Sequence, residues 1–487
     1  MIGRARASIG CRGVRGAVCG ALIALASGCP AGVVGPRVAD TIEAPVRELW
    51  VDGSAPQGGN GKSDQPMRDL RSALAPGALI HLAPGIYPGP ITLPDGVVLI
   101  SKKGLGVITL DGPGAVITAS RARLEGIAIQ GGEVGLLALG RVELKDVRLS
   151  GQRTLGARVE SPGVLKAEGL EVVGVGSGVD GVQANPGTKV SLTGARFSGG
   201  LRRAIDALDA EIELDDAQSM GVKEQLHLEG GRATVKSSSA LGGTGPAWFV
   251  ARAFFLGDGL TVRGHEYAVL SGNNAQLQLS HLDVKGAQLA AVGLVKSKVE
   301  LHDATLEGGS YAAVQLLECD SHLDGIEVTR ASANAVVVRL GRARLERITV
   351  RQVDAEGAGG GGDGLHLRGG EVELREVLVQ NCAGAAVLAT AQAKVTIDRL
   401  GADRCRAGAA VVELGSTVTA RGVVVKDPFG PALTVPDAST LSVTDLVLSG
   451  AEVPVWAECD AGATVTLSGI QGMGSWRAPR CVSIKTR

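Results

Sequence analysis

Aromatic residues are nearly missing from this 487-residue chain, which has four Trp, three Tyr and five Phe, or 2% in all. That scarcity excludes a large core built around aromatic rings. Burial must come from Val, Leu, Ile and Ala in many small increments. Net charge is nearly absent too, at -1 from 49 basic and 50 acidic residues. No basic run stands out, so nucleic acid is not an expected partner. Beyond the N-terminus no apolar run approaches the roughly 18 residues that a spanning helix needs. No C-x-x-C pair occurs, which removes the usual zinc spacing, and neither a metal nor a cofactor is expected. What the chain does have is glycine, 72 residues of it.

The N-terminus reads as a targeting segment. Arg4, Arg6, Arg12 and Arg15 precede AVCGALIALA (17–26), an apolar stretch too short to cross a bilayer. It runs into LASGC, ending at Cys29. This resembles a bacterial lipobox, although Ala26 stands where Leu is most usual. The resemblance implies cleavage after residue 28 and a lipid on Cys29. Plain secretion with cleavage nearby is the other reading. Pro30 follows, rather than Asp, which implies sorting to the outer membrane of a Gram-negative cell. Residues 29–46, with Pro30, Pro36 and Pro45, read as a tether. The expected partner on this side is a membrane, reached through the lipid anchor.

An internal period organises nearly everything after residue 120. In VELHDATLEGG (299–309) apolar Val299 and Leu301 are followed by polar His302 and Asp303, then apolar Ala304 and Leu306. Alternation has period two on each side of a two-residue slip. A strand keeps one face inward only while that period holds, so the slip marks a corner between two strands. The pattern recurs with central residues Leu124, Leu144, Ala167, Leu192, Leu214, Val235, Gly257, Leu279, Leu301, Leu323, Leu345, Leu374, Ile397, Ala420, Val443 and Leu467. From 235 to 345 the spacing is 22 each time. The widest gap, 345 to 374, contains the insertion AEGAGGGGD (355–363). Two positions after the centre stands Gly in seven units: 126, 169, 194, 259, 325, 422 and 469. Glycine suits a corner with positive φ. One such unit cannot bury its own apolar face, whereas a stack of them can. Leucine-rich repeats would need an Asn-containing core motif that is missing here. The expected fold is all-β, a parallel β-helix of about 16 coils of 20–25 residues.

Residues 49–101 carry a family resemblance. LWVDGSAPQGGNGKSDQPMRDLRSAL (49–74) gives a strand, a Gly-rich loop and Pro66 before an expected helix at Met67–Ala75. HLAPGIY (81–87) follows as a first coil strand. The order resembles the entry segment of right-handed parallel β-helix proteins of the pectin-lyase-like superfamily. It implies right-handed winding and a short capping helix that buries Leu70 and Leu74 over the open end. The loop lacks the spacing of a phosphate-binding P-loop. Expected divisions are a signal peptide at 1–28, tether at 29–46, cap and first coils at 47–110, β-helix at 111–475 and C-terminal cap at 476–487.

The resemblance also implies polysaccharides as ligands, so the family's catalytic signatures matter. Polygalacturonase-like hydrolases carry paired carboxylates, and this chain offers VDG (179–181) and GDG (362–364) with one Asp each. RGH (263–265) is followed by Glu266, so G-H-G fails. No lyase signature is present either, and no catalytic residue is assigned. A polar corner column brings His302 beside Asp324, open to an acid/base reading or to plain charge pairing. An aromatic cluster at 247–267 includes Trp248 and Phe254 as candidate glycan contacts, with core filling beside Gly257 as the alternative. Cys382 and Cys405 each lie eight residues past a coil centre, so they stack within disulfide range. Cys459 and Cys481 are expected to tie the C-terminal cap, leaving Cys319 as a small buried residue. The function expected is a non-catalytic, lipid-anchored binding or structural module that contacts a polysaccharide or another surface protein. A polysaccharide lyase or glycoside hydrolase with an unrecognised site is one alternative. An inert spacer or adhesin is another.

Overall fold

The computed structural model describes residues 45–101, 106–355, 361–472 and 477–485. The proposed signal peptide, Cys29 and nearly all of the tether lie outside the described residues. So does much of the 355–363 insertion.

Repetition of one corner builds the molecule. In the strand Lys298–Gly308, Val299, Leu301, Ala304 and Leu306 are all buried, on both sides of the slip at His302 and Asp303. Asp303 takes φ 51°, which turns the chain without turning the apolar face outward. The same holds along the whole column two residues past the centres. The seven glycines have φ between 62° and 69°. Asp146, Asp216, Ser237, His281, Asp303, Arg347, Glu376, Arg399 and Asp445 fill the other corners with φ between 46° and 66°. The corner is therefore left-handed after all sixteen of those centres, and glycine is only one way to make it. Asp is the commonest substitute, as expected from its tolerance of that region.

The sequence columns are the structural register. Every step of the central column from Leu124 through Gly257 to Leu467 is a parallel strand pairing. The column continues to Leu99, Ile80 and Leu49 at one end and to Ile484 at the other. The solenoid has about 17 coils. Each full coil contributes to three parallel sheets. Sheet A carries the central column, sheet B follows the left-handed corner, and sheet C follows a wider turn and leads back to sheet A. One hydrophobic cluster runs from Leu49 to Val482. Gly257 leaves a gap in sheet A that its neighbours fill. A Cβ there would lie 2.9 Å from the ring of Phe255, which is fully buried.

Sheet C has its own column of small residues. Ala204, Ala247, Ala268, Ala291, Ala313, Ala335 and Ala386 are all fully buried. Gly156, Gly181 and Gly364 occupy equivalent places, where an added Cβ would meet the next coil's carbonyl at 2.4–2.6 Å. Backbones approach too closely here for larger side chains. Gln225 is the exception, and its amide donates to the carbonyls of Ala217 and Ser239.

The entry segment differs from expectation in one element. The helix expected over Met67–Ala75 is a single turn, α1, Leu70–Ala73. Met67 cannot join it, because its N–H donates to Trp50 O at 2.9 Å and its carbonyl accepts from Asp52 N at 2.8 Å. Those bonds, with Trp50 N donating to Gly61 O, serve the outer edge of β1 (Arg47–Val51). Leu70 and Ala73 form the buried side of α1, whereas Leu74 is half-buried. The Gly-rich loop has a packing role. A Cβ at Gly61 would lie 2.7 Å from Leu49 Cδ2.

Candidate functional site

The expected polar corner on sheet A exists as a ladder of ion pairs. His281 Nδ1 lies 2.8 Å from Asp258, and His322 Nε2 lies 3.1 Å from Glu346. His302 Nδ1 is 3.9 Å from Asp324, and its ring meets His322 edge-on at 5.5 Å. Asp324 itself is clamped by Arg347, with both contacts at 2.7 Å. That guanidinium holds the Asp324 carboxyl below the usual range. Arg344 does the same to Glu346. Beside them Asp320, Arg342, Glu371 and Lys394 alternate in sign down one column. They line a shallow groove of about 520 Å³. Asp258, Asp324, Glu346 and Glu371 each have a basic partner, so the geometry matches charge pairing along a solvated sheet. Among the described residues no group of three His, Cys, Asp or Glu is arranged to hold a metal ion.

The aromatic candidates separate. Trp248 is fully buried in sheet C, so it cannot stack on a sugar, and its place as a contact is corrected. The reason is register. Trp248 pairs with inward Leu226 and Val269, immediately after the small residue Ala247. Phe254 does point outward, level with Gln276, but the Arg232 guanidinium covers its ring at 4.9 Å. The disulfides form as expected. Cys382–Cys405 has a Cα separation of 4.5 Å, and Cys459–Cys481 one of 5.3 Å. Cys319 is free and buried.

The denser polar site lies on sheet C and was not read from the sequence. Arg158, Gln183, Asp206, His227 and Phe249 follow one another in register across five coils, all facing outward. A second outward column two residues on holds Asn185, Leu208 and Glu229. Behind them stand two buried carboxylates, Asp180 and Glu224, at 6% and 8% exposure. Asp180 is the single acid of VDG, and Arg202 grips it with two contacts of 2.9 and 2.5 Å. Arg203 reaches Asp206 at 2.8 Å and Glu224 at 3.3 Å. His227 bridges Glu224 at 2.8 Å and Glu229 at 3.2 Å, while its ring stacks on half-exposed Phe249 at 4.6 Å. Arg252 donates to the other oxygen of Glu229 at 3.0 Å. Arg158 donates to Gln183 at 3.0 Å, and Asn185 to Glu160 at 2.7 Å.

Gln183, Asn185, Arg203, Asp206, His227 and Glu229 line a pocket of about 270 Å³. Burial alone would raise the Glu224 carboxyl, but the His227 bond, with Arg203 and Lys223, brings it below the ordinary range. His227 and Arg252 lower Glu229 as well. Both carboxyls are therefore ionised at neutral pH. The arrangement offers rigid acceptors, amide groups and one aromatic face. It offers no carboxylic acid held protonated to donate to a leaving group. The GDG acid, Asp363, is a smaller echo. It is 4% exposed, accepts from Ala385 N at 2.9 Å and faces His366 at 3.3 Å.

No family model matches the chain, and no curated protein matches it. Among solved structures it is similar to the pectate lyase Pel9A, at 13% identity over 62% of this chain and 80% of that one, with TM-score 0.32. It is also similar to the PL6 family alginate lyase AlyGC, at 10% identity over 90% and 98%, with TM-score 0.32. A third is the GH136 lacto-N-biosidase from Eubacterium ramulus, at 8% identity over 66% and 64%, with TM-score 0.32. Likenesses this distant carry no argument about chemistry here.

Proposed function

We propose that the chain is an exported, lipid-anchored, right-handed solenoid of the pectin-lyase-like kind that holds glycans on sheet C without cleaving them. One observation carries this reading: the interlocked pocket around His227, whose acids are fixed by partners and held ionised. Sugars are recognised by planar polar groups fixed in place beside an aromatic face, and Gln183, Asn185, Asp206 and Phe249 supply both. The N-terminal signal with Cys29, and two disulfides suited to an oxidising compartment, support export. Titration calorimetry of the detergent-solubilised chain against a panel of oligosaccharides tests the binding. Gln183→Ala with Asn185→Ala is expected to weaken the best ligand about tenfold. Arg344→Ala on sheet A is expected to leave it unchanged. Equal affinity in all three proteins rejects the sheet C site. Cleavage is the second reading, and it draws on the bracketing of His227 by Glu224 and Glu229. New reducing or unsaturated ends after incubation with the bound glycan, lost in His227→Gln, replace the binding reading with that one.

A further inference from the structure

The balance of charge on sheet C says which glycans fit. Every guanidinium in the cluster is engaged: Arg158 by Gln183, Arg203 by Asp206 and Glu224, and Arg252 by Glu229. Arg203 is the pocket's one lining guanidinium and is already engaged, so a uronate carboxylate entering there would lie beside Asp206 and Glu229. Acceptors, by contrast, are left over. Among the described residues, Asp206 Oδ2 and Glu160 Oε1 take no hydrogen bond from the protein. An ammonium brings three donors and no acceptor, which complements such a surplus.

We propose that this pocket takes glycans bearing free amines, as in a glucosamine polymer, and disfavours uronates. The inference rests on the glycan reading above and narrows it. Its test compares three hexasaccharides by calorimetry on the solubilised full chain at low salt and mildly acidic pH: fully deacetylated chitosan, its N-acetylated form and a hexauronate. The amine form is expected to bind about tenfold more tightly than the acetylated one, with the advantage fading as pH rises and the amines lose their protons. Glu160→Gln with Asp206→Asn is expected to abolish that advantage, and circular dichroism confirms that the variant folds. Glu371→Gln on sheet A, removing a charge of the same sign elsewhere, is expected to leave it intact. Equal binding of amine and acetylated forms, preference for the hexauronate, or an equal loss in Glu371→Gln overturns the amine proposal while the glycan reading stands. Binding of none of the three, nor of any sugar in the wider panel, defeats both.

Discussion

Gly325 shows what one corner asks of one residue. It sits at φ 69°, and a Cβ would fall 2.6 Å from Asp303 Oδ1 in the preceding coil. Gly325→Ala is expected to cost about 1 kcal/mol from the left-handed backbone alone. The cost rises with whatever displacement Asp303 suffers, and urea denaturation reads the sum. Asp303→Gly, at φ 51°, relieves the opposite penalty and is expected to hold or raise the midpoint. His265 makes a second residue-scale prediction. It is fully buried, and burial pushes its imidazole below the ordinary range, against a bond of Nδ1 with Gly245 O at 3.1 Å. The unfolded chain takes up that proton as pH falls through about 6.5, while the folded chain resists until lower pH. His265 therefore costs no stability above that value and a growing amount below it. His281 runs the other way. Asp258 raises its pKa, so its contribution is present in acid and lost as pH rises, and full exposure screens it. Urea midpoints should thus fall between pH 7.5 and 5.5 by more in the native protein than in His265→Gln. An equal fall assigns the acid sensitivity to other groups.

At the scale of strands, the sheet A pattern was readable because it alternates for long runs and is interrupted at a fixed place. Leu301, His302 and Asp303 were enough to locate both strands and the corner between them. Sheet C was not readable in that way. Its strands are short, and its coil-to-coil marker is a small residue followed by a larger apolar one, as in Ala247-Trp248 and Ala291-Val292. Small residues carry little weight in a search for amphipathic alternation, so the register that aligns Asp206, His227 and Phe249 went unseen. Trp248 was misplaced for the same reason, since its inward position follows from Ala247. The helix at α1 was overextended because bonds between Met67 and Trp50 link residues far apart in the loop. Stacking of adjacent coils did locate the cysteines. The Cys382–Cys405 bond closes a loop of 23 residues, so its removal by paired Ala substitutions should cost about 3 kcal/mol, mainly by freeing the unfolded chain. A change under about 1 kcal/mol in denaturant unfolding would mean that neighbouring coils hold this segment without the bond.

For the whole molecule, what matters is that each coil touches chiefly the coils on either side, so stability is close to a sum of coil and interface terms. Lys298 pairs with Asp320, and Asp320 with Arg342, which makes residues 298–319 one complete repeat of the register. Removing 298–319 joins Ser297 to Asp320 and brings the strand Gln276–Ala287 against Asp320–Arg330, with Leu279 over Leu323 in the same inward column. The shortened chain is expected to fold, with unchanged strand content by far-UV circular dichroism and only a modest loss of cooperativity. Removing 298–308 instead deletes the sheet A and sheet B strands of one coil but leaves its sheet C strand. The following Val314–Leu317 would then enter sheet A's place without its polar corner, and the turn at Asp303 would be lost. That deletion is expected to abolish cooperative unfolding although it removes half as much chain. The contrast separates a solenoid from a globular core, in which the larger loss does the greater damage. Equal damage from the two deletions would show that contacts beyond nearest coils hold the molecule together. The sheet C pocket spans coils upstream of the excised repeat, so glycan affinity in the 298–319 deletion should match that of the full chain.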